Sequence, residues 1–201
     1  MPKIVDEQTR EATRRRIIHE AAREFARLGF DQASINVIAE QAGIGKGTIY
    51  LYFENKRELF LAMLRFIAQS QLTVIRSALA QDGSIGTRLE LLFRAFVRLA
   101  EEESDSFNVY MSALYGVNRA FQSEATRLLR DYNAVIALVL EEARARGEIT
   151  FQDVDATALM ILSLTESFIL SARVLGQSEQ TLLLQAKKTA RFILQGLATE
   201  Q

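Results

Sequence analysis

The sequence contains no cysteine and no tryptophan, and it has one histidine and one proline among 201 residues. The lack of cysteine excludes disulfides, thiolate nucleophiles, iron–sulfur clusters and zinc sites built on cysteine. The single histidine, His19, leaves little for a histidine metal site or a Ser-His-Asp triad. We therefore expect no catalytic residues, no bound metal and no cofactor, and hence a protein that is not an enzyme.

The scarcity of proline bears on the fold. Pro2 is the only proline, and it lies where it can interrupt no helix. Alanine and leucine, both strong helix formers, are the commonest residues. A sequence of this length without internal proline is not typical of a sandwich of many short strands and turns. The composition predicts an all-α protein.

Excess charge of one sign is also missing, since the formal net charge is −1 and basic and acidic residues are spread almost evenly. This argues against a general binder of polyanions, for which the pI usually exceeds about 9.

Residues 1–16 are charged and lack an apolar stretch, so they do not resemble a signal peptide. The most apolar run, 156–172, carries Glu166 and is short for a membrane span, so we expect a core helix in a cytoplasmic protein without a membrane partner.

Glycines punctuate the helical periodicity, as residues that end helices do. Asn55 is placed to cap a helix together with Glu58, and Ser34 is a natural N-cap for another. The pattern predicts nine helices at about 7–28, 34–41, 45–52, 55–80, 85–103, 106–115, 118–146, 153–175 and 178–198.

Residues 34–56 have the pattern of a helix-turn-helix. An apolar stripe faces inward from two short helices around a turn at Gly43; it consists of Ile35, Ile38, Ala39, Ala42, Ile49 and Phe53. Lys46, Thr48, Tyr50 and Tyr52 are left off this core face. A surface rich in donors and aromatic rings at a helix N-terminus suits the DNA major groove, which is about 12 Å wide and accepts one helix.

Residues 10–60 resemble the DNA-binding domain of the tetracycline-repressor (TetR) family. The segments that carry the resemblance are Ala21–Phe30, Ile38–Ala39, Ala42–Ile44 and, above all, Gly47–Lys56 followed by Leu59. The resemblance implies nine or more helices, a homodimer and a C-terminal effector pocket. It also implies a DNA-binding domain at 1–54 and an effector-binding and dimerisation domain at 55–201.

The resemblance further implies a role for individual residues. Ser34 and Asn36 would open the first helix of the motif beside the DNA backbone. Tyr52 and Lys56 would contact phosphates. The residues that would face the groove are Lys46, Gly47, Thr48 and Tyr50.

Two other functions fit parts of the sequence. Residues 43–48 superficially resemble a phosphate-binding loop, but Gly47 separates the lysine from the threonine and no strand precedes the segment. An enzyme or carrier using a helical pocket would lack a constellation of base, nucleophile or metal ligands, and a helical scaffold for a protein partner would leave the segment 48–56 unexplained. We therefore expect a ligand-responsive transcriptional regulator, a repressor that a small molecule releases from near-palindromic operator DNA.

The C-terminal half concentrates aromatic and sulfur side chains that could line an apolar effector pocket. The residues that we select are Phe107, Tyr110, Met111, Tyr115 and Phe168, with Glu166 and Arg173 as charged groups. The two charged residues lie seven apart on one face of an apolar helix, and three alternatives stay open: a dimer interface, the pocket or solvent. The helices of 153–198 are apolar around most of their circumference, which predicts a homodimer through this segment. The effector is expected to be largely apolar.

Overall fold

The computed structural model describes residues 7–115 and 121–196, and within these ranges it contains nine α-helices and no strand. The prediction of an all-α fold is confirmed. The helices are α1 Glu7–Gln32, α2 Ile35–Gln41, α3 Lys46–Ile49, α4 Lys56–Leu79, α5 Ile85–Glu102, α6 Ser104–Tyr115, α7 Gln122–Ala145, α8 Val154–Val174 and α9 Glu179–Gln195.

Local sequence signals account for most helix ends. Gly29 interrupts α1 with a φ of 73°, so regular helix stops where the sequence predicts, and one further helical turn follows. Asn55 accepts a hydrogen bond from the Glu58 N–H at 2.9 Å, and Glu58 accepts one from the Glu54 N–H, which confirms the predicted cap. Ser84 similarly caps α5 through the Thr87 N–H.

The helices form two compact units. The first comprises Met1–Ala68 and Asp105–Ala125, and the second comprises Gln69–Ser104 and Thr126–Gln201. The predicted boundary at 54/55 falls inside the first unit, because α4 begins at Lys56 and contributes its first half to that unit. The functional division at 54/55 stays a prediction.

In the second unit, α5 packs along α9 and also contacts α8. Gly86 permits this close approach: a Cβ atom at this position would lie 2.9 Å from Cδ1 of Leu194. The apolar side of α5 is buried, and it includes Leu89, Leu92, Phe93, Phe96 and Val97. Such packing of one apolar face per helix is what stabilises an all-α domain.

Two helices, α4 and α8, are long and apolar enough to cross a membrane by length and composition alone. Core helices pass the same test. In α4, 56% of the most apolar stretch is buried within the protein, but in α8 the share is 39%. The core helix predicted over 156–172 therefore has a second apolar side, which is not covered by residues 7–115 and 121–196.

Candidate functional site

The inward stripe of the helix-turn-helix is buried as predicted. Ile38, Ala39 and Ala42 are at most 2% exposed, as are Ile49 and Phe53, and Ile18 and Phe25 of α1 are also buried. Helix α2 packs against both α1 and α3. This shared apolar core fixes the two short helices, which are too short to be stable in isolation.

The turn between α2 and α3 depends on Gly43. Its φ of 66° lies in the left-handed region that residues with a Cβ atom rarely adopt. In this conformation the Gly43 N–H donates to the Glu40 carbonyl and the Ile44 N–H donates to the Ala39 carbonyl, both at 3.0 Å. The turn therefore satisfies the last carbonyls of α2 and sets the angle at which α3 leaves.

The residues that the resemblance assigns to DNA lie on the outer surface. Asn36, Lys46, Gly47 and Tyr50 are exposed, whereas the four others are half-buried; these are Ser34, Thr48, Tyr52 and Lys56. Because Ile49 points into the core, its neighbours on α3 face outward. The side-chain donors of Lys46 and Thr48 are therefore accessible to a DNA groove, and so is the backbone of Gly47, which has no side chain.

The recognition helix is shorter than the predicted 45–52. Regular α-helix covers Lys46–Ile49, after which the Leu51 and Tyr52 N–H groups donate to carbonyls three residues earlier. Such bonds belong to a tighter helical turn. Tyr50 and Tyr52 therefore lie on this turn, and only Lys46, Gly47 and Thr48 are carried by the α-helix itself.

Lys56 has partners within the protein. Its ammonium nitrogen donates to the Asp31 carbonyl at 3.0 Å and lies 4.9 Å from the centre of the Phe30 ring. These contacts tie the start of α4 to the end of α1. A phosphate contact by Lys56 remains a prediction, and it would be made by a side chain that also has a structural role.

Glu24 is a buried residue of this region that the sequence reasoning missed. It is 2% exposed, and its carboxylate accepts hydrogen bonds from Arg27 Nη2 at 2.8 Å and from the Ser34 N–H at 3.2 Å. Burial alone would raise the pKa of this carboxyl, but the hydrogen bonds and the positive charges of Arg27 and Lys56 outweigh burial and lower the pKa. A signal was available: Glu24 lies among Ala21, Ala22 and Phe25 on the apolar side of α1.

The predicted effector residues are distributed over both units. On α6, in the first unit, Phe107, Tyr110 and Met111 are buried, whereas Tyr115 is 57% exposed. The others lie on α8 in the second unit: Glu166 is fully buried, Phe168 is partly exposed and Arg173 is half-buried. Their role in ligand binding stays a prediction.

Arg173 forms an ion pair within the chain, its Nε lying 3.3 Å from Oε1 of Glu101 on α5. Glu101 lies in the last turn of α5. Of the three alternatives left open by the sequence, the structure thus gives Arg173 a partner that is neither a ligand nor a second copy. The pair contributes to the packing of α8 on α5.

Glu166 belongs to a buried polar cluster in the second unit. The Tyr132 hydroxyl donates to Gln71 Oε1 at 2.7 Å, and both residues are at most 2% exposed. Burial raises the pKa of Tyr132, and the nearby charge of Glu166 raises it further. The Gln71 amide nitrogen is buried without a hydrogen-bond partner among the described residues. The cluster thus offers an unused donor inside an apolar core.

A continuous apolar surface covers one side of α8 and α9, and we call it the α8–α9 face. It comprises the exposed side chains Met160, Leu164, Phe168 and Phe192 and the half-buried Ile193. A groove of about 480 Å³ runs between Met160, Leu164 and Phe192, and a second groove adjoins it at Leu164 and Phe192. Exposed apolar patches of this kind mark interaction surfaces.

Two family models match the sequence. Residues 17–63 match the model described as bacterial regulatory proteins, tetR family, and residues 82–169 match a tetracyclin repressor-like C-terminal domain. The first match contains the helix-turn-helix, and the second covers α5, α6, α7 and most of α8.

Individual proteins are similar over most of the chain. The fatty acid metabolism regulator protein of Bacillus subtilis is 27% identical over 138 residues, which cover 66% of this chain and 69% of that protein. Among solved structures, the fatty acid degradation regulator FadR of Bacillus halodurans has a TM-score of 0.80 at 22% identity, covering 92% of this chain and 99% of that one. The FadR of Bacillus subtilis in complex with stearoyl-CoA has a TM-score of 0.78 at 21% identity, with the same coverage. These relatives are transcriptional regulators.

Proposed function

Because this chain belongs to the TetR family and is a ligand-responsive DNA-binding regulator, we propose that it is a homodimeric repressor that an acyl thioester releases from its operator. The observation that carries the DNA-binding part is the orientation of α3. Ile49 is buried in the core, and Lys46, Gly47 and Thr48 face outward on one short helix. The partner for this surface is double-stranded DNA in the cytoplasm.

The DNA site follows from two-fold symmetry. A two-fold dimer requires a near-palindromic operator whose half-sites are about 34–36 Å apart, or a multiple of this distance. Selection from a random duplex library, followed by fluorescence anisotropy, tests this directly. The expected result is one near-palindrome bound by the dimer; enrichment of no sequence over bulk DNA would contradict the proposal.

The α8–α9 face supports a dimer through residues 153–198. Large apolar side chains at the centre of an obligate interface are typical, and such interfaces bury on the order of 2,000 Å² or more. In an isologous interface the same face of each copy meets its counterpart. Met160, Leu164 and Phe192 would then be covered by the second subunit.

The proposed effector class rests on the relatives and on the chemistry of the second unit. A fatty acid metabolism regulator and a structure containing stearoyl-CoA are among the similar proteins. A long acyl chain suits an apolar helical domain, and the Gln71 amide nitrogen could donate to a thioester carbonyl. Glu166 beside Tyr132 would disfavour a free carboxylate at the same place, because like charges repel.

Reciprocity provides the test of the switch. An effector releases DNA only through its different affinity for the two states, and the coupling is typically about 1–3 kcal/mol. Calorimetric titration measures the affinity for stearoyl-CoA with and without operator. The ratio of these two affinities should equal the factor by which stearoyl-CoA weakens DNA binding. Coenzyme A without an acyl chain is the control. Equal affinities in the two titrations would exclude stearoyl-CoA as the inducer.

A further inference from the structure

We propose that Glu24 is a positioning residue for DNA binding, because its buried carboxylate holds the start of α2 in place. The inference rests on the proposed function, since it assumes that α2 and α3 bind an operator. Glu24 touches no residue assigned to a base. It acts through Ser34, ten positions later in the sequence, where α1 has ended and the helix-turn-helix begins.

Each oxygen of the carboxylate has its own partner. Oε1 accepts from the Ser34 N–H at 3.2 Å, and Oε2 accepts from Arg27 Nη2 at 2.8 Å. The Arg27 side chain is largely exposed, whereas that of Glu24 is 1% exposed. Arg27 therefore balances the buried charge from the solvent side and leaves the other oxygen directed at the backbone of Ser34.

The Glu24 carboxylate supplies a hydrogen bond at the start of α2, where the Ser34 side chain supplies none. Ser34 occupies the N-cap position of α2, as the sequence predicts, but its side chain makes no capping hydrogen bond. Its backbone N–H is instead bound by a side chain of α1. The connection between the two helices is short, and its neighbouring backbone bond runs from the Ala33 N–H to the Gly29 carbonyl at 3.2 Å.

Fixing the start of α2 has a consequence for the groove-facing surface. Ser34 and Asn36 stand at this start, and α3 packs on α2, where Ile38, Ala39 and Ile49 are buried. If the Ser34 N–H lost its acceptor, a partly buried donor would be left unpaired, and α2 would shift to find another partner. A misplacement of about 1 Å is enough to weaken hydrogen bonds to bases and phosphates, which depend steeply on distance.

The test compares Glu24→Ala and Glu24→Gln with a matched control, Glu20→Ala. Glu20 lies one turn earlier on α1 and pairs with Arg23 at 3.3 Å, also three residues ahead. The probe is the near-palindromic duplex selected with the wild-type chain, measured by anisotropy over a range of salt concentrations. Circular dichroism and light scattering verify that each variant is a folded dimer.

We expect Glu24→Ala to weaken operator binding about ten- to a hundred-fold, the range that the loss of one hydrogen bond to a charged group produces. The salt slope should not change, since no phosphate-binding charge is removed. Glu24→Gln keeps an acceptor for the Ser34 N–H, so it should recover most of the affinity, and Glu20→Ala should bind like the wild type.

Three results would overturn the inference. They are unchanged affinity in Glu24→Ala, an equal loss in Glu20→Ala, and a loss in Glu24→Gln as large as in Glu24→Ala. If Glu24→Ala does not fold, Glu24→Leu, which fills a similar volume without an acceptor for the Ser34 N–H, replaces it in the comparison with Glu24→Gln. A wild-type chain that selects no duplex would contradict the proposed function itself, which is a separate outcome.

Discussion

Replacement of Phe192 by alanine should weaken the dimer while leaving the fold of each chain intact. Phe192 is 67% exposed in the single chain and lies in both grooves of the α8–α9 face. Burying a whole phenylalanine side chain is worth about 1.5–3 kcal/mol, so the exposed two thirds are worth about 1–2 kcal/mol. A two-fold interface contains the residue twice, which gives about 2–4 kcal/mol per dimer.

That free energy corresponds to a dimer dissociation constant about 30- to 1,000-fold higher than in the wild type. Sedimentation equilibrium over a concentration series measures this constant, and the thermal unfolding of a concentrated sample verifies the fold. Leu138→Ala is the matched control, because Leu138 is 68% exposed on α7 and lines neither groove of the α8–α9 face. The reasoning would be refuted if Phe192→Ala and Leu138→Ala had the same dissociation constant, or if the wild type were a monomer at micromolar concentration.

Three further predictions concern the DNA surface and the core. Lys46→Ala should cost about 1–3 kcal/mol of operator binding and relax the preference at one base pair. Lys56→Ala should instead weaken binding to all sequences alike and lower the salt slope by about 1. Anisotropy with single-base operator variants distinguishes the two effects. Gly43→Ala should destabilise the fold by about 1–2 kcal/mol in urea unfolding, because its φ is positive, whereas Gly47→Ala, which has open space, should not. The pKa of Tyr132 is raised in the folded state, so its contribution to stability is complete below about pH 10 and is lost as the pH rises further. Tyr132→Phe should therefore reduce the fall of the unfolding free energy at alkaline pH, as measured by urea unfolding over a range of pH.

The architecture could be predicted because helix ends are determined by residues that are close together in the sequence. Gly29 and Gly43 adopt positive φ where the sequence predicts a break, and Asn55 caps α4 through the Glu58 N–H. Each signal involves residues at most a few positions apart, whose conformations depend mainly on one another. Burial of Ile38 and Ile49 follows from helical periodicity for the same reason.

The contacts that the sequence did not indicate join residues far apart in the chain. Glu24 binds the backbone of Ser34, Lys56 binds the carbonyl of Asp31, and Arg173 pairs with Glu101. No periodicity specifies such pairs, because they form only once the helices have packed. The length of α3 escaped prediction for a related reason: residues 50–52 have helical periodicity, but the N–H groups of Leu51 and Tyr52 bond to carbonyls three residues earlier.

Lys56 shows how a motif and a tertiary contact combine in one residue. The family resemblance assigns it to phosphate, and the fold assigns its ammonium group to the Asp31 carbonyl and the Phe30 ring. An ammonium group has three donors, so one can remain on the carbonyl while another reaches an oxygen of the DNA. Because the first bond already orders the side chain, the phosphate contact would cost less conformational entropy than one made by a free lysine. On this account Lys56→Ala removes both a charge from the DNA surface and a tie between α1 and α4, so its loss of affinity should exceed what the change in salt slope alone explains.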